Sequence, residues 1–210
     1  WPCGGSMDDG LVTITNSTIW SNSSFSVSGQ GNVVSYSNIK DINSNWDSGN
    51  NIDINPSFVD ADNGNYRLRN QSACIGMGTT SIPSATDYEN NITPDPADSN
   101  PDIGAYENSR ADRSDDWYIS TTGSDSNEGT STSPLGTIAI AVAGAMDGDT
   151  INLAAGTYQQ TFDPAGADIA LIGTAGSDST TIDFSNFTED DSNEFIGFDS
   201  CIWQATMSSL

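Results

Sequence analysis

Asp147-Gly148-Asp149-Thr150-Ile151-Asn152-Leu153-Ala154-Ala155-Gly156-Thr157-Tyr158 is the stretch whose reading decides the fold. Thr150–Leu153 alternates polar with apolar residues, as a half-buried strand does, and glycines mark the corners on either side. Further strands are predicted at Tyr118–Ser120, Ile169–Ile172, Thr180–Phe184 and Glu194–Trp203. Before them, Ile14-Thr15-Asn16-Ser17-Thr18-Ile19 is echoed by Val34-Ser35-Tyr36-Ser37-Asn38-Ile39 at an offset of twenty residues. Stacked coils require such an echo, because each coil buries its inward side chains only against its neighbours. A third coil is expected to hold Ile52, Ile54, Phe58 and Val59. One helix is predicted: Ser133 caps it, Pro134 suits its first turn, and Ile138, Ala141, Val142 and Ala145 form a narrow apolar stripe. It is expected to shield an unpaired sheet edge.

The order of the segments is unusual. Residues 52–107, ending in Asp102-Ile103-Gly104-Ala105-Tyr106-Glu107, read like the close of a solenoid. Residues 117–158 read like the start of one. The expected division is therefore 1–108 as closing coils and cap, 109–116 as a linker, and 117–210 as opening coils with their helix. Residues 80–116 carry Pro83, Pro94, Pro96 and Pro101 among Asp and Asn, which suits an irregular wrap.

These signatures carry a resemblance. Tyr118 to Tyr158, with Leu171-Ile172-Gly173 and Ser179-Thr180-Thr181-Ile182-Asp183, resembles the N-terminal part of pectate-lyase-like right-handed parallel β-helix proteins. Residues 50–107 resemble the C-terminal region of the same proteins in bacterial surface and secreted polypeptides, the choice-of-anchor Q type. The sequence departs from that pattern at Ala73 and Gly76 beside Cys74, and after Asp87. The resemblance implies an all-β, right-handed parallel β-helix with one short capping helix. It leaves open polysaccharide lyases, glycoside hydrolases, adhesins and structural proteins.

Composition narrows that choice. Of 210 residues 35 % are hydrophobic and 20 are Gly, which suits short strands and polar turns. The net charge is −24, with no His and five Lys plus Arg, and all five cations (Lys40, Arg67, Arg69, Arg110, Arg113) precede residue 114. Such a chain repels phosphate backbones and anionic lipids, so no nucleic-acid partner and no membrane insertion are expected. It attracts hard cations. The chain opens on Trp1-Pro2 without a signal peptide, as a processed or excerpted product would. Sequons begin at Asn16, Asn22, Asn70, Asn91 and Asn186, in keeping with an extracellular or cell-surface location.

Few residues suit catalysis. A uronate lyase needs a cationic base, and Lys40, Arg67 and Arg69 are the candidates; the two arginines flank Leu68, where pairing with local carboxylates is the expected role. A glycosidase needs opposed carboxylates, and Asp183, Asp190 and Asp191 are the least implausible. No catalytic residue is assigned. No cofactor is required; Ca²⁺ is the one candidate, with two loops that read equally as plain Asx turns: Asp125, Asn127 and Glu128 before Gly129, and Asp60, Asp62 and Asn63 before Gly64. Cys74 reads as buried, whereas Cys3 and Cys201 are placed to meet across a joint between copies. The expected protein is an extracellular structural or adhesive building block. It joins copies of itself head to tail or in tandem through open sheet borders. The alternative is a secreted protein that binds or degrades polysaccharide, with Trp1, Trp20, Trp46, Trp117 and Trp203 as stacking platforms if exposed.

Overall fold

The structure, a computed structural model, describes residues 12–21, 33–40, 47–81, 86–160, 162 and 166–183. They form two compact units, one from residues within 1–56 and 74–111, the other from residues within 57–73 and 112–210. Both contain parallel β-helical coils, the class the sequence predicts.

In the first unit, β1 (Thr13–Thr15) and β2 (Thr18–Ile19) make one coil, and β3 (Val33–Ser35) and β4 (Asn38–Ile39) make the next. The pairs β1–β3 and β2–β4 are parallel, with Ile14 opposite Val34 and Ile19 opposite Ile39. The twenty-residue echo is thus the register itself. Its corner also repeats: Asn16 (φ 50°) and Tyr36 (φ 48°) are both left-handed. Beside them, Ser17 Oγ donates to Thr15 O (2.8 Å) and Ser37 Oγ to Ser35 O (2.9 Å). The third coil begins as predicted, with parallel bridges from Val34 to Asp47 and from Asn38 to Ile52. Buried Asn38 extends that ladder sideways, its Nδ2 donating to Ile54 O (2.8 Å).

Phe58 and Val59 do not continue this coil. They lie in β5 (Phe58–Asp60), antiparallel to β6 (Asn65–Leu68), in the second unit. A 3-10 turn over Ala61–Asn63 and left-handed Gly64 (φ 80°) reverse the chain between them. An apolar pair reads alike in a coil and a hairpin; the turn decides.

The opening coils follow. They comprise β7 (Asp116–Ile119), α1 (Ile138–Gly144), β8 (Thr150–Leu153), β9 (Gly156–Tyr158), β10 (Ala170–Gly173) and β11 (Thr180–Ile182). Parallel pairing runs β7–β8–β10 in one sheet and β9–β11 in another. Trp117, Ile119, Leu135, Ile138, Ala141, Val142, Ile151, Leu153, Tyr158 and Phe162 close a core under α1. The stripe Ile138, Ala141 and Val142 is buried as expected, but α1 starts at Ile138 after Thr137 and not at Pro134. The preceding residues are used otherwise: Leu135 N donates to Tyr118 O and Ser120 N to Leu135 O, both at 2.9 Å, which extends the ladder of β7.

Gly156 turns the corner between β8 and β9 with φ 152°, and a Cβ there would stand 2.6 Å from Thr121 Cγ2. Gly156→Ala is expected to cost about 2–3 kcal/mol through backbone strain and overlap. A shift of the urea midpoint reads this cost; an unchanged midpoint contradicts the packing described.

Candidate functional site

The side chains with the most unusual surroundings lie where the β5–β6 hairpin meets the first opening coil. Arg69 follows β6 and is 5 % exposed. Its Nη1 donates to Phe58 O (2.5 Å), its Nη2 to Val59 O and Asp125 O (2.5 Å each), and its Nε to Asn127 O (3.0 Å). Four backbone carbonyls thus close around one guanidinium. Burial presses the Arg69 pKa down, while Glu128, Asp125 and Asp60, in that order, oppose the change. Gln71 repeats the device, its Nε2 donating to Asp116 O (2.7 Å) and Gly129 O (3.0 Å). Ser114 N donates to Asn70 O (2.7 Å). The hairpin tail therefore holds carbonyls of the first opening coil through donors at residues 69 and 71, and Asn70 O accepts in turn from Ser114 N.

A second cluster lies behind this one. Asp149, fully buried, receives Arg113 Nη2 on both oxygens (2.7 and 2.5 Å), Trp117 Nε1 (3.0 Å) and Met146 N (3.1 Å). Arg113 Nε donates to Gln71 O (3.0 Å), so the two clusters share Gln71. Arg113, within the stretch read as a linker, and Gln71 were the residues that motif reading missed. The signal available was scarcity: in a chain of −24, a cation is more often committed than idle.

The first unit carries a third cluster, of carboxylates. Asp102 (4 % exposed) receives Gly76 N and Asn108 N at 2.8 Å each. Glu107 receives Asp95 N (3.0 Å) and Asp102 N (3.2 Å). Asp87 receives Glu89 N, Asn91 N, Asn91 Nδ2 and Glu107 N. Burial pushes the Asp102 pKa up to about 7, against the bonds from Gly76 and Asn108, with Glu107 adding to the rise. Burial raises Glu107 as well. Burial also works against the charge of Asp87, but the Asn91 side chain and the N–H groups of Glu107, Asn91 and Glu89 outweigh it and hold that pKa low. Most of the acceptor capacity in these carboxylates is spent on backbone N–H groups that an irregular wrap leaves without strand partners. The Asp102–Glu107 signature is thus a knot that fastens the wrap.

Four of the six predicted calcium residues, Asp125, Asn127, Asp60 and Asn63, have side-chain partners within the protein. Asp125 Oδ1 receives Gly136 N (3.1 Å) and Thr137 N (2.8 Å), and its Oδ2 receives Thr137 Oγ1 (2.9 Å). Asp125 thereby serves the start of α1, the role expected of Ser133. Asn127 Nδ2 donates to Pro134 O (2.8 Å). Asp60 receives Asn63 Nδ2 at 2.9 Å on each oxygen, while Asp62 and Asn63 are exposed on the 3-10 turn. Asp125 and Asn127 meet Arg69 through their backbone carbonyls; the two loops do not bring three acidic side chains into one metal-holding group among the described residues.

Of the catalytic candidates, Arg67 is exposed and bonds Asn65 Oδ1 (3.2 Å), and Lys40 lies 5.6 Å over the Trp20 ring. Asp183 receives Gln159 Nε2 (3.0 Å). Cys74 is buried, and its Sγ receives Asn38 Nδ2 (3.1 Å). Cys3, Cys201, Asp190, Asp191, Trp1, Trp46 and Trp203 lie outside the described residues. Among described tryptophans, Trp117 is core and Trp20 half-buried. At the sequons, Asn16 Nδ2 donates to Thr79 O (3.0 Å) and Asn91 Nδ2 to Asp87 Oδ2 (3.0 Å).

The geometry defines a β-helix protein whose most specialised residues hold coils and caps in place. Residues 121–164 match the family model described as "Protein of unknown function (DUF1565)". The matched stretch runs from the Asp125 loop through α1 and Asp149 to Gly156, Tyr158 and Phe162. No curated protein and no solved structure matches the chain.

Proposed function

We propose that this protein is extracellular structural material: a β-helical block that extends a surface filament or stalk through copies of itself, stacked head to tail or joined in tandem. The observation that carries this reading is the docking of a closing-type hairpin on an opening coil through Arg69 and Gln71. Within the second unit this hairpin, which follows the closing-type coils in sequence, covers the first opening coil, and that order of signatures supports growth in series. The other borders support growth. Among the described residues β1 and β2 pair on one side only, as do β10 and β11, and Ile172 on β10 is 42 % exposed. A parallel edge of this kind accepts another coil through backbone hydrogen bonds.

The reading is non-enzymatic. Buried Trp117 and the commitment of acids and arginines to backbone groups favour structure over turnover. The test is negative-stain microscopy and sedimentation of the purified chain beside an Ile172→Lys variant. Rods that vanish in the variant support edge stacking; particles of one chain's mass in both end it. Incubation with pectin or alginate, assayed for unsaturated and reducing ends, is expected to show no turnover, and turnover lost in Arg67→Ala would favour the polysaccharide-degrading alternative.

A further inference from the structure

We infer that Asn63-Gly64, at the tip of the β5–β6 hairpin, is a site of spontaneous deamidation, that Asp60 holds it shut, and that its conversion loosens the grip of Arg69. It is the one Asn-Gly pair in the chain. In such a pair the attacking amide nitrogen belongs to a residue with no side chain to obstruct it. Both residues are exposed on the turn, and a Cβ on Gly64 would meet nothing within 4 Å. In the reaction Gly64 N loses its proton and attacks Asn63 Cγ. The new C–N bond closes an imide ring, and Nδ2 leaves as ammonia. Water then opens either carbonyl of the imide. The product is aspartate or, with the backbone rerouted through the side chain, isoaspartate.

The fold opposes ring closure at two points. Gly64 N already donates to Ala61 O (3.0 Å), which keeps it in the 3-10 turn and away from the Asn63 side chain. Asn63 Nδ2 donates to both oxygens of Asp60, at 2.9 Å each, which turns the carboxamide back toward β5. Both contacts must open before the ring can close, so the rate follows local opening of the hairpin tip. The product undoes the same contacts. A carboxylate at residue 63 meets the Asp60 carboxylate where an amide donor stood, a like-charge pair in place of a hydrogen bond. Isoaspartate also lengthens the turn between the register partners Asp60 and Asn65. The strand displaced is β5, whose Phe58 O and Val59 O receive Arg69. Water does not restore the amide, so the change accumulates with the age of the chain.

The test is peptide mass spectrometry of the full chain incubated in mildly alkaline buffer, reading aspartate and isoaspartate at residue 63. The same chain in urea and an Asp60→Ala variant are followed beside it. In urea Asn63 is expected to convert faster than any other asparagine. In the folded native chain it converts at least about tenfold more slowly, because the hairpin tip must open first. Asp60→Ala removes most of that protection, while amide exchange at Ile151 stays as in the native chain and shows that the opening coils are intact. Asp60→Asn, which keeps an oxygen for Nδ2, lies between the two. In converted chains, exchange at Arg69 N, which donates to Ser57 O (3.0 Å), is expected to rise. A native rate equal to that in urea overturns the inference. So does an Asp60→Ala rate equal to the native one, or unchanged exchange at Arg69 N after conversion.

Discussion

Asp149→Ala is expected to lower the unfolding free energy of the opening coils by about 3–5 kcal/mol, the range for breaking a buried ion pair by removing one partner. The residue is fully buried and takes four hydrogen bonds, two from Arg113, one from the Trp117 indole and one from Met146 N. Truncation leaves all three donor groups without this acceptor, and the Arg113 side chain, 23 % exposed, can reach water only in part. Asp149→Asn is expected to cost less, since it keeps the volume and one carbonyl oxygen while turning an amide toward the guanidinium. Arg113→Met strands the opposite charge. The double variant Asp149→Leu/Arg113→Met is expected to lose less than the sum of the single losses, which identifies a coupled pair. Amide exchange at Ile151 and Leu153 in rising urea reads the cost where it falls. A loss under about 1 kcal/mol in Asp149→Ala contradicts a buried pair of this kind.

The loss reaches the joint because Arg113 also donates to Gln71 O, and Gln71 holds Asp116 O and Gly129 O. One cation thereby ties the core carboxylate to the cap. This explains why the stretch around Asp147–Thr150 reads so strongly as the start of a coil: its second acid is the internal anchor of the coil's first strand.

The sequence made the coil repeat legible because coil geometry is written locally. Alternation and corner chemistry recur together, so Ile14 to Ile19 could be set on Val34 to Ile39 residue for residue. The apolar stripe of α1 was legible for the same reason. Its start was not, because distant side chains fix the entry: Asp125 receives Gly136 N and Thr137 N just before the helix, and Gln160 Oε1 receives its first N–H, that of Ile138. Local rules favour Ser133-Pro134, and a distant carboxylate overrides them. The acidic loops carry a real ambiguity: oxygen-rich spacing with a following Gly serves an Asx-type turn and a cation loop equally. Strand alternation set Arg67 and Arg69 on one face, but β6 ends at Leu68, and Arg69 turns inward to carbonyls of β5 and of the first opening coil.

Acidification is expected to stabilise the first unit, with Asp102 as the main source. Its pKa rises from 3.8 in an ordinary setting to about 7 in the fold because burial disfavours the charged form. A group raised in this way contributes stability that is full below about 3.8 and is lost as pH climbs through about 7. That gap corresponds to about 4 kcal/mol. Glu107 is raised too and acts in the same sense, whereas the low pKa of Asp87 gives a dependence that appears only at more acid pH. Between pH 4 and 8 the unfolding free energy read from exchange at Ile103 N, which donates to Cys74 O (2.9 Å), is therefore expected to fall. Asp102→Asn removes the titrating group. Its oxygen can still receive Gly76 N, but its NH₂ faces the Asn108 N–H, so the variant is less stable at pH 4 and its profile is shallower than the native one, with Glu107 left as the titrating source. A native profile that rises toward pH 8, or an Asp102→Asn profile as steep as the native one, would show that the wrap is fastened by an ionised Asp102.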